Sequence, residues 1–256
     1  MLSNMGGLKV KSDFIRVLVY VMASGYWLAA MVPADAADVQ VPSEESYLAS
    51  ARRELGIKQF KKSIQFYEDA ALYYPFGHLV EIARLEVIYA YYSAAEFTKA
   101  EDAINRFKSL HPKSQNMDYA LFMEGVINSR TVDNVLENHL LPDLSKRDLR
   151  NLTKAFVAFK LLIEDYPTSI YVKDAHDKLL IIKSILAKNM INSAVFYEEV
   201  GANYAAADRA FDYLRLFYGM PDTNQAFETL IASFHAEQLH DIVADIELVW
   251  QENQPD

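Results

Sequence analysis

The chain contains no cysteine. That single absence excludes disulfides, thiolate metal sites and cysteine nucleophiles together. It leaves the compartment open, because a helical chain of this size needs no covalent staples even in an oxidising one. Glycine and proline are scarce, eight of each in 256 residues, which argues against disorder. Hydrophobic residues make up 52%, enough for a substantial core, and the abundance of Ala, Leu, Glu and Lys favours helices over strands. Clustered positive charge is also lacking. The net charge is −10, and the densest basic patch, Arg52-Arg53 with Lys58, Lys61 and Lys62, reads as a solvated helix face. Nucleic acid is therefore not an expected partner, since phosphate neutralisation needs concentrated Lys and Arg.

Catalytic groupings are missing too. There is no HExxH, and His235 and His240 are five apart, off the i, i+4 spacing that aligns two ligands on a helix. Adjacent Glu198-Glu199 diverge on a helix, and Asp241 with Asp245 form an i, i+4 acidic stripe of the kind that faces solvent. Gly56, Gly125 and Gly201 make no phosphate loop, and no GxSxG occurs. No metal site, cofactor or enzymatic activity is expected. The 16 Tyr and 14 Phe are read first as packing residues.

What is present begins with an export signal. Lys9, Lys11 and Arg16 precede a run from Val17 to Val32 that is apolar apart from Ser24 and Gly25, and Ala34-Asp35-Ala36 is an A-x-A cleavage pattern. Sixteen helical residues reach ~24 Å, short of the ~30 Å hydrocarbon core, so a cleaved signal is favoured over a spanning helix. Cleavage after Ala36 leaves 22 basic and 33 acidic residues, net −11. The expected layout is a signal over 1–36, a polar lead-in over 37–45, a helical body over 46–250 and a tail over 251–256.

The body is a repeat. "YLASARREL" is followed by "FKKSIQFYEDAALYYP", and "EIARLEVIYAYYSAAEF" by "TKAEDAINRFKSLHP". Each is a helix, a turn and a second helix stopped by proline, with Pro75 and Pro112 37 residues apart. This is tetratricopeptide grammar, whose unit is ~34 residues. Counting from Glu44 and Glu81 puts Ala51, Ser63, Ala70 and Ala100 at close-approach positions. In a third unit Gly125 and Ala155 take such positions, with an insertion of 18 residues near Thr131 to Arg147 and a stop at Pro167. A long pattern from Tyr171 to about Val200 leads into a fourth unit, with Ala194, Ala206 and Ala210 at small-residue positions and extra residues near Phe217 to Gly219. A fifth pair caps the stack. The expectation is an all-α solenoid of five pairs, about ten helices, with N-terminal repeats over 46–167 and C-terminal repeats over 168–250.

Several of these stretches resemble the BamD/ComL family of outer-membrane protein assembly lipoproteins. They are "YYPFGHLVEIARLEVIYAYY" (73–92), "AINRFKSLHPKSQNMDYALFMEG" (103–125), "RDLRNLTKAFVAFKLLIEDYPTSIYVKDA" (147–175) and "SAVFYEEVGANYAAADRAFDYLR" (193–215). The similarity runs from about Tyr47 to Trp250. Its motif turn is Tyr74-Pro75-Phe76-Gly77, where Pro75 ends a helix, Phe76 is placed to staple the corner and Gly77 to take a positive φ.

The resemblance implies a non-enzymatic scaffold on the periplasmic face of the outer membrane. Its implied partners are the barrel-forming assembly protein, smaller assembly lipoproteins and unfolded β-barrel substrates. Groove positions carried over from tetratricopeptide proteins are Leu48, Arg52, Leu55, Leu85, Tyr89, Tyr92, Tyr119 and Phe122, which suit an extended peptide ending in an aromatic and a carboxylate. The implied partner-docking region is Val200, Gly201, Ala202 and Arg209. Family members often carry Arg where this chain has Val200, so a charge-assisted contact there is lost. Leu28-Ala29-Ala30 resembles the approach to a lipidated Cys, but Met31 stands in its place and has no thiol. The expected outcome is an exported form held at the membrane by partners, with an uncleaved inner-membrane tether as the alternative. The rival reading is a periplasmic tetratricopeptide adaptor that couples envelope constriction to peptidoglycan synthesis.

Overall fold

Ser43 opens the helical body: its hydroxyl accepts the Ser46 N–H at 3.3 Å, and Glu44 and Glu45 occupy the first turn, where the helix dipole favours negative charge. The computed structural model describes residues 41–138 and 149–252. The expected signal, Met31, the cleavage pattern, the later part of the expected insertion and the end of the tail lie outside the described residues.

Ten helices and no strand occur among the described residues. They are α1 (Glu44–Gly56), α2 (Phe60–Tyr73), α3 (Val80–Ser93), α4 (Phe97–Leu110), α5 (Met117–Asn138), α6 (Arg150–Asp165), α7 (Val172–Glu199), α8 (Asn203–Phe217), α9 (Thr223–Ala236) and α10 (His240–Glu252). Each helix packs on the next, and odd-numbered helices also touch the next odd one, from α1–α3 through α7–α9. The odd helices thus form one layer and the even helices another, the arrangement of an all-α tetratricopeptide-like solenoid.

Three local devices repeat. Within a unit, the first helix ends in a Schellman turn. Lys58, Ala95, Gly201 and Gln238 take φ of 60°, 58°, 74° and 60°. In each case the following amide reaches back five residues, as Gln59 does to Glu54 and Ala202 to Tyr197. Between units, the second helix ends on Tyr74, His111 or Tyr166, with φ near −124°, −127° and −130°, and proline follows each one.

Across these corners runs an acidic latch. Glu44, Glu81 and Asp118 recur every 37 residues. Glu81 Oε1 accepts the Ser114 hydroxyl at 2.6 Å, and Asp118 Oδ2 accepts that of Ser169 at 2.7 Å. Ser114 is 33 residues beyond Glu81 and Ser169 is 51 beyond Asp118. The difference is the 18-residue insertion.

The motif turn departs from expectation in two ways. Gly77 is not at positive φ. It is the place equivalent to Ser114 and Ser169, and its missing side chain makes room for the Glu44 carboxylate, which a Cβ there would strike. Glu44 is 5% exposed. Lacking a hydroxyl partner, it accepts the Leu79 N–H at 2.8 Å and pairs with His78 Nδ1 at 3.1 Å. Phe76 staples nothing: it is 98% exposed. The insertion differs as well, since α5 runs eight residues past Arg130 before the chain leaves the described region.

The small residues are buried where close helix approach requires them. Ala51, Ser63, Ala70, Ala100, Ala155, Ala194, Ala206 and Ala210 are fully enclosed. Gly125 is forced by the Phe159 ring, which a Cβ would meet. Two hydrophobic clusters meet along α7: Ala175 and Ile182 join the N-terminal one, while Ala187, Ile191 and Ala194 join the C-terminal one. Leu186 packs on both. At 28 residues, α7 is ~42 Å long. Length and composition alone would let α7 cross a membrane; in the solenoid it packs on α5, α6, α8 and α9, with Leu180 and Phe196 left exposed.

Candidate functional site

The odd-helix layer carries a cavity of about 380 Å³. Arg52 and Leu55 of α1, Leu85, Glu86 and Tyr89 of α3, and Tyr119 of α5 line it, with Tyr67, Asn116 and Tyr171. Five of the eight expected groove residues, Arg52, Leu55, Leu85, Tyr89 and Tyr119, meet there. Three do not line it. Leu48 is 2% exposed and packs in the core, because α1 turns that face towards its neighbours. Tyr92 lies edge-on to Phe97 at 6.0 Å, and Phe122 stacks on Tyr171 at 4.7 Å. Both rings contact residues of the wall, Tyr92 with its centroid 6.4 Å from that of Tyr89 and Phe122 against Tyr171.

Arg52 is not a free cation. Its Nε donates to Glu86 Oε2 at 2.9 Å and its terminal nitrogen to Oε1 at 2.6 Å, a forked pairing. The Tyr67 hydroxyl donates to the same carboxylate at 2.9 Å. The hydrogen bond with Glu86 holds the Arg52 guanidinium above its ordinary pKa. Burial, then the neighbouring Glu86 charge, pushes the Tyr67 phenol up, and burial does the same to Tyr119. The groove therefore offers neutral phenols, apolar faces and a guanidinium already engaged. Tyr67 and Tyr171 escape a reading of first-helix positions, since they reach the site from α2 and from the corner before α7, and Glu86 of α3 lies beside Leu85 but outside the carried-over groove positions.

The expected docking residues form the corner between α7 and α8. Gly201 is explained locally as its left-handed position, and Ala202 caps α8. Val200 is 59% exposed, beside Phe196 and Tyr204 at 57% and 66%. That corner thus presents apolar surface. Arg209 is exposed and approaches Asp208 at 3.9 Å.

A second concavity lies further on, between α8, α9 and α10, with a volume of about 700 Å³. Phe227, Leu230 and Phe234 of α9 form part of its lining, and Trp250 stacks on Phe227 at 5.6 Å. The fifth pair does not cap the stack with a polar face: Leu248 and Ile242 of α10 are 58% and 43% exposed. His235 and His240, which helical spacing would separate, flank the α9–α10 corner with ring centroids 5.6 Å apart. No cluster of three metal-binding side chains occurs among the described residues.

The described residues thus form an all-α, tetratricopeptide-like repeat solenoid with a concave groove lined by aromatic side chains. Within that class, residues 40–247 match the profile of a family described as YfiO, outer membrane lipoprotein, and the chain belongs to that family. It is 30% identical over 224 residues to the outer membrane protein assembly factor BamD of Neisseria meningitidis serogroup B, covering 88% of this chain and 84% of that protein. It is 26% identical over 220 residues to BamD of Pasteurella multocida, covering 85% and 84%. A Vibrio cholerae BamD is 32% identical over 165 residues, 64% of this chain and 67% of that one.

Proposed function

We propose that this protein is a component of the outer membrane β-barrel assembly machinery: a non-enzymatic scaffold at the periplasmic face of the outer membrane. In this reading the N-terminal repeats, 46–167, receive segments of unfolded β-barrel substrates in the concave groove. The C-terminal repeats, 168–250, dock the periplasmic region of the barrel-forming assembly protein, with smaller assembly lipoproteins as further partners. The observation that carries the reading is family membership across residues 40–247, joined to a groove whose Tyr89 is 46% exposed beside Leu85 and Tyr119. Apolar and aromatic walls suit the alternate side chains of an extended segment. Residues 1–36 act as an export signal cleaved after Ala36, 37–45 and 251–256 are polar flanks, and with Met31 in place of a lipidated Cys attachment runs through partners.

Affinity capture of the tagged full chain from its own cell envelope tests this. Recovery of the barrel-forming assembly protein is expected, and recovery of envelope-division factors in its place overturns the proposal. Intact mass tests attachment: a chain starting at Ala37 is expected, and an added lipid mass contradicts it.

A further inference from the structure

Three helices turn stripes of one period toward the C-terminal notch. On α8 the stripe is Phe211 and Leu214, continued by Tyr218 just past its end; on α10 it is Ile242, Ile246 and Val249. Such i, i+3, i+4, i+7 stripes are the faces by which helices bury one another. Here they converge on open space: Phe211 is 58% and Ile242 43% exposed. The cavity falls in the size range of sites that enclose side chains, and an amphipathic helix laid into an apolar groove fills such a space.

Charge identifies the occupant. Residues 203–252 hold nine acidic side chains and two basic ones, whereas residues 44–199 hold 22 and 20. The excess negative charge of the body is therefore concentrated on α8–α10. Of the two cations, Arg215 lines the notch but donates to Asp212 Oδ1 at 2.7 Å. Asp245 also lines the notch, without an ion pair among the described residues. A second copy of this chain would bring a like-charged face, and an anionic lipid surface would be repelled. We propose that the notch between α8, α9 and α10 docks an amphipathic helix of a partner protein whose apolar face is flanked by Lys or Arg. The notch lies within the repeats to which the proposed function gives partner docking, and the proposal deepens that reading by naming the partner's chemistry; the peptide titration below reads that chemistry whether or not the assembly role holds.

The probe is a short leucine–lysine peptide of helical period, titrated calorimetrically into the full chain beside a leucine–glutamate peptide of the same period. Preference for the lysine peptide by at least about tenfold is expected at low salt, shrinking as salt screens it. The Phe211→Lys/Ile242→Lys variant, changed at exposed positions, is expected to lose binding by about tenfold or more with an unaltered circular dichroism spectrum. Asp245→Lys is expected to narrow the preference without removing the apolar contribution. Equal binding of the two peptides, or binding indifferent to Phe211→Lys/Ile242→Lys, overturns the proposal. So does self-association by sedimentation, or adsorption to phosphatidylglycerol vesicles, that this variant abolishes.

Discussion

Arg52 on α1 and Glu86 on α3 are bound by a forked pair of hydrogen bonds, the shortest 2.6 Å, and this pair ties the first two repeats together across the floor of the groove. The arrangement sets what the groove can recognise. A peptide carboxylate meets a guanidinium whose Nε and one terminal nitrogen are already held by Glu86.

Wild-type protein is accordingly expected to bind a peptide with a C-terminal aromatic almost equally as free acid and as amide. In Glu86→Gln the guanidinium is released, and the free acid should gain roughly 1 kcal/mol, about fivefold, over the amide. Fluorescence anisotropy of labelled peptides measures both. A strong free-acid preference in the wild type would show that the pair opens on binding.

The repeated left-handed corners differ in side chain but not in backbone. Ala95 sits at φ 58° where the fourth unit has Gly201 at 74°. An L-residue in this region costs about 1 kcal/mol relative to glycine. Ala95→Gly is expected to raise denaturation stability by up to about 1 kcal/mol, and Gly201→Ala to lower it by a similar amount. Chemical denaturation midpoints check both signs.

Gly77 and Glu44 form a coupled pair. Gly77→Ala drives a methyl group into the Glu44 carboxylate, and such overpacking costs about 1–3 kcal/mol. Glu44→Ala removes the obstruction along with the Leu79 and His78 contacts. The double variant should therefore be less destabilised than the two single changes added together, as a double-mutant cycle will read.

The phenols give a pH signature. Burial, then the Glu68 charge, pushes Tyr91 up to about 12, and burial raises Tyr67 and Tyr119 as well. A phenol whose folded pKa exceeds its unfolded value of 10.0 stabilises the fold fully below pH 10 and ceases to do so as pH rises through the folded pKa. Absorbance titration should show a late tyrosine fraction near pH 12, to which Tyr91 contributes, coincident with helix loss. Tyr91→Phe should shrink the late fraction.

The periodic features were legible in the sequence because they are local. Pro75, Pro112 and Pro167 mark corners through their own chemistry, and the small residues at 51, 70, 100, 155, 194, 206 and 210 mark close approach. Gly77 shows the limit of such reasoning: a glycine serves either an unusual φ or a close neighbour, and the neighbour, Glu44, lies 33 residues earlier. Arg52 was visible as a groove cation, but its partner Glu86 lies on another helix and is not implied by local pattern. Leu48 and Leu55 share one helix, and packing on α2 and α3 decides that only Leu55 lines the groove. The notch was hidden for a different reason. Phe211, Ile242 and Ile246 look like ordinary core positions until α8, α9 and α10 are seen to leave a helix-sized space between them.

Depletion of the protein in its own cells, followed by quantitation of folded β-barrel proteins in the outer membrane, tests the central claim most directly. The account predicts that folded barrels fall across several unrelated types while unfolded precursors accumulate in the periplasm, and that the wild-type chain restores them. Unchanged barrel levels alongside a defect confined to envelope constriction would contradict it.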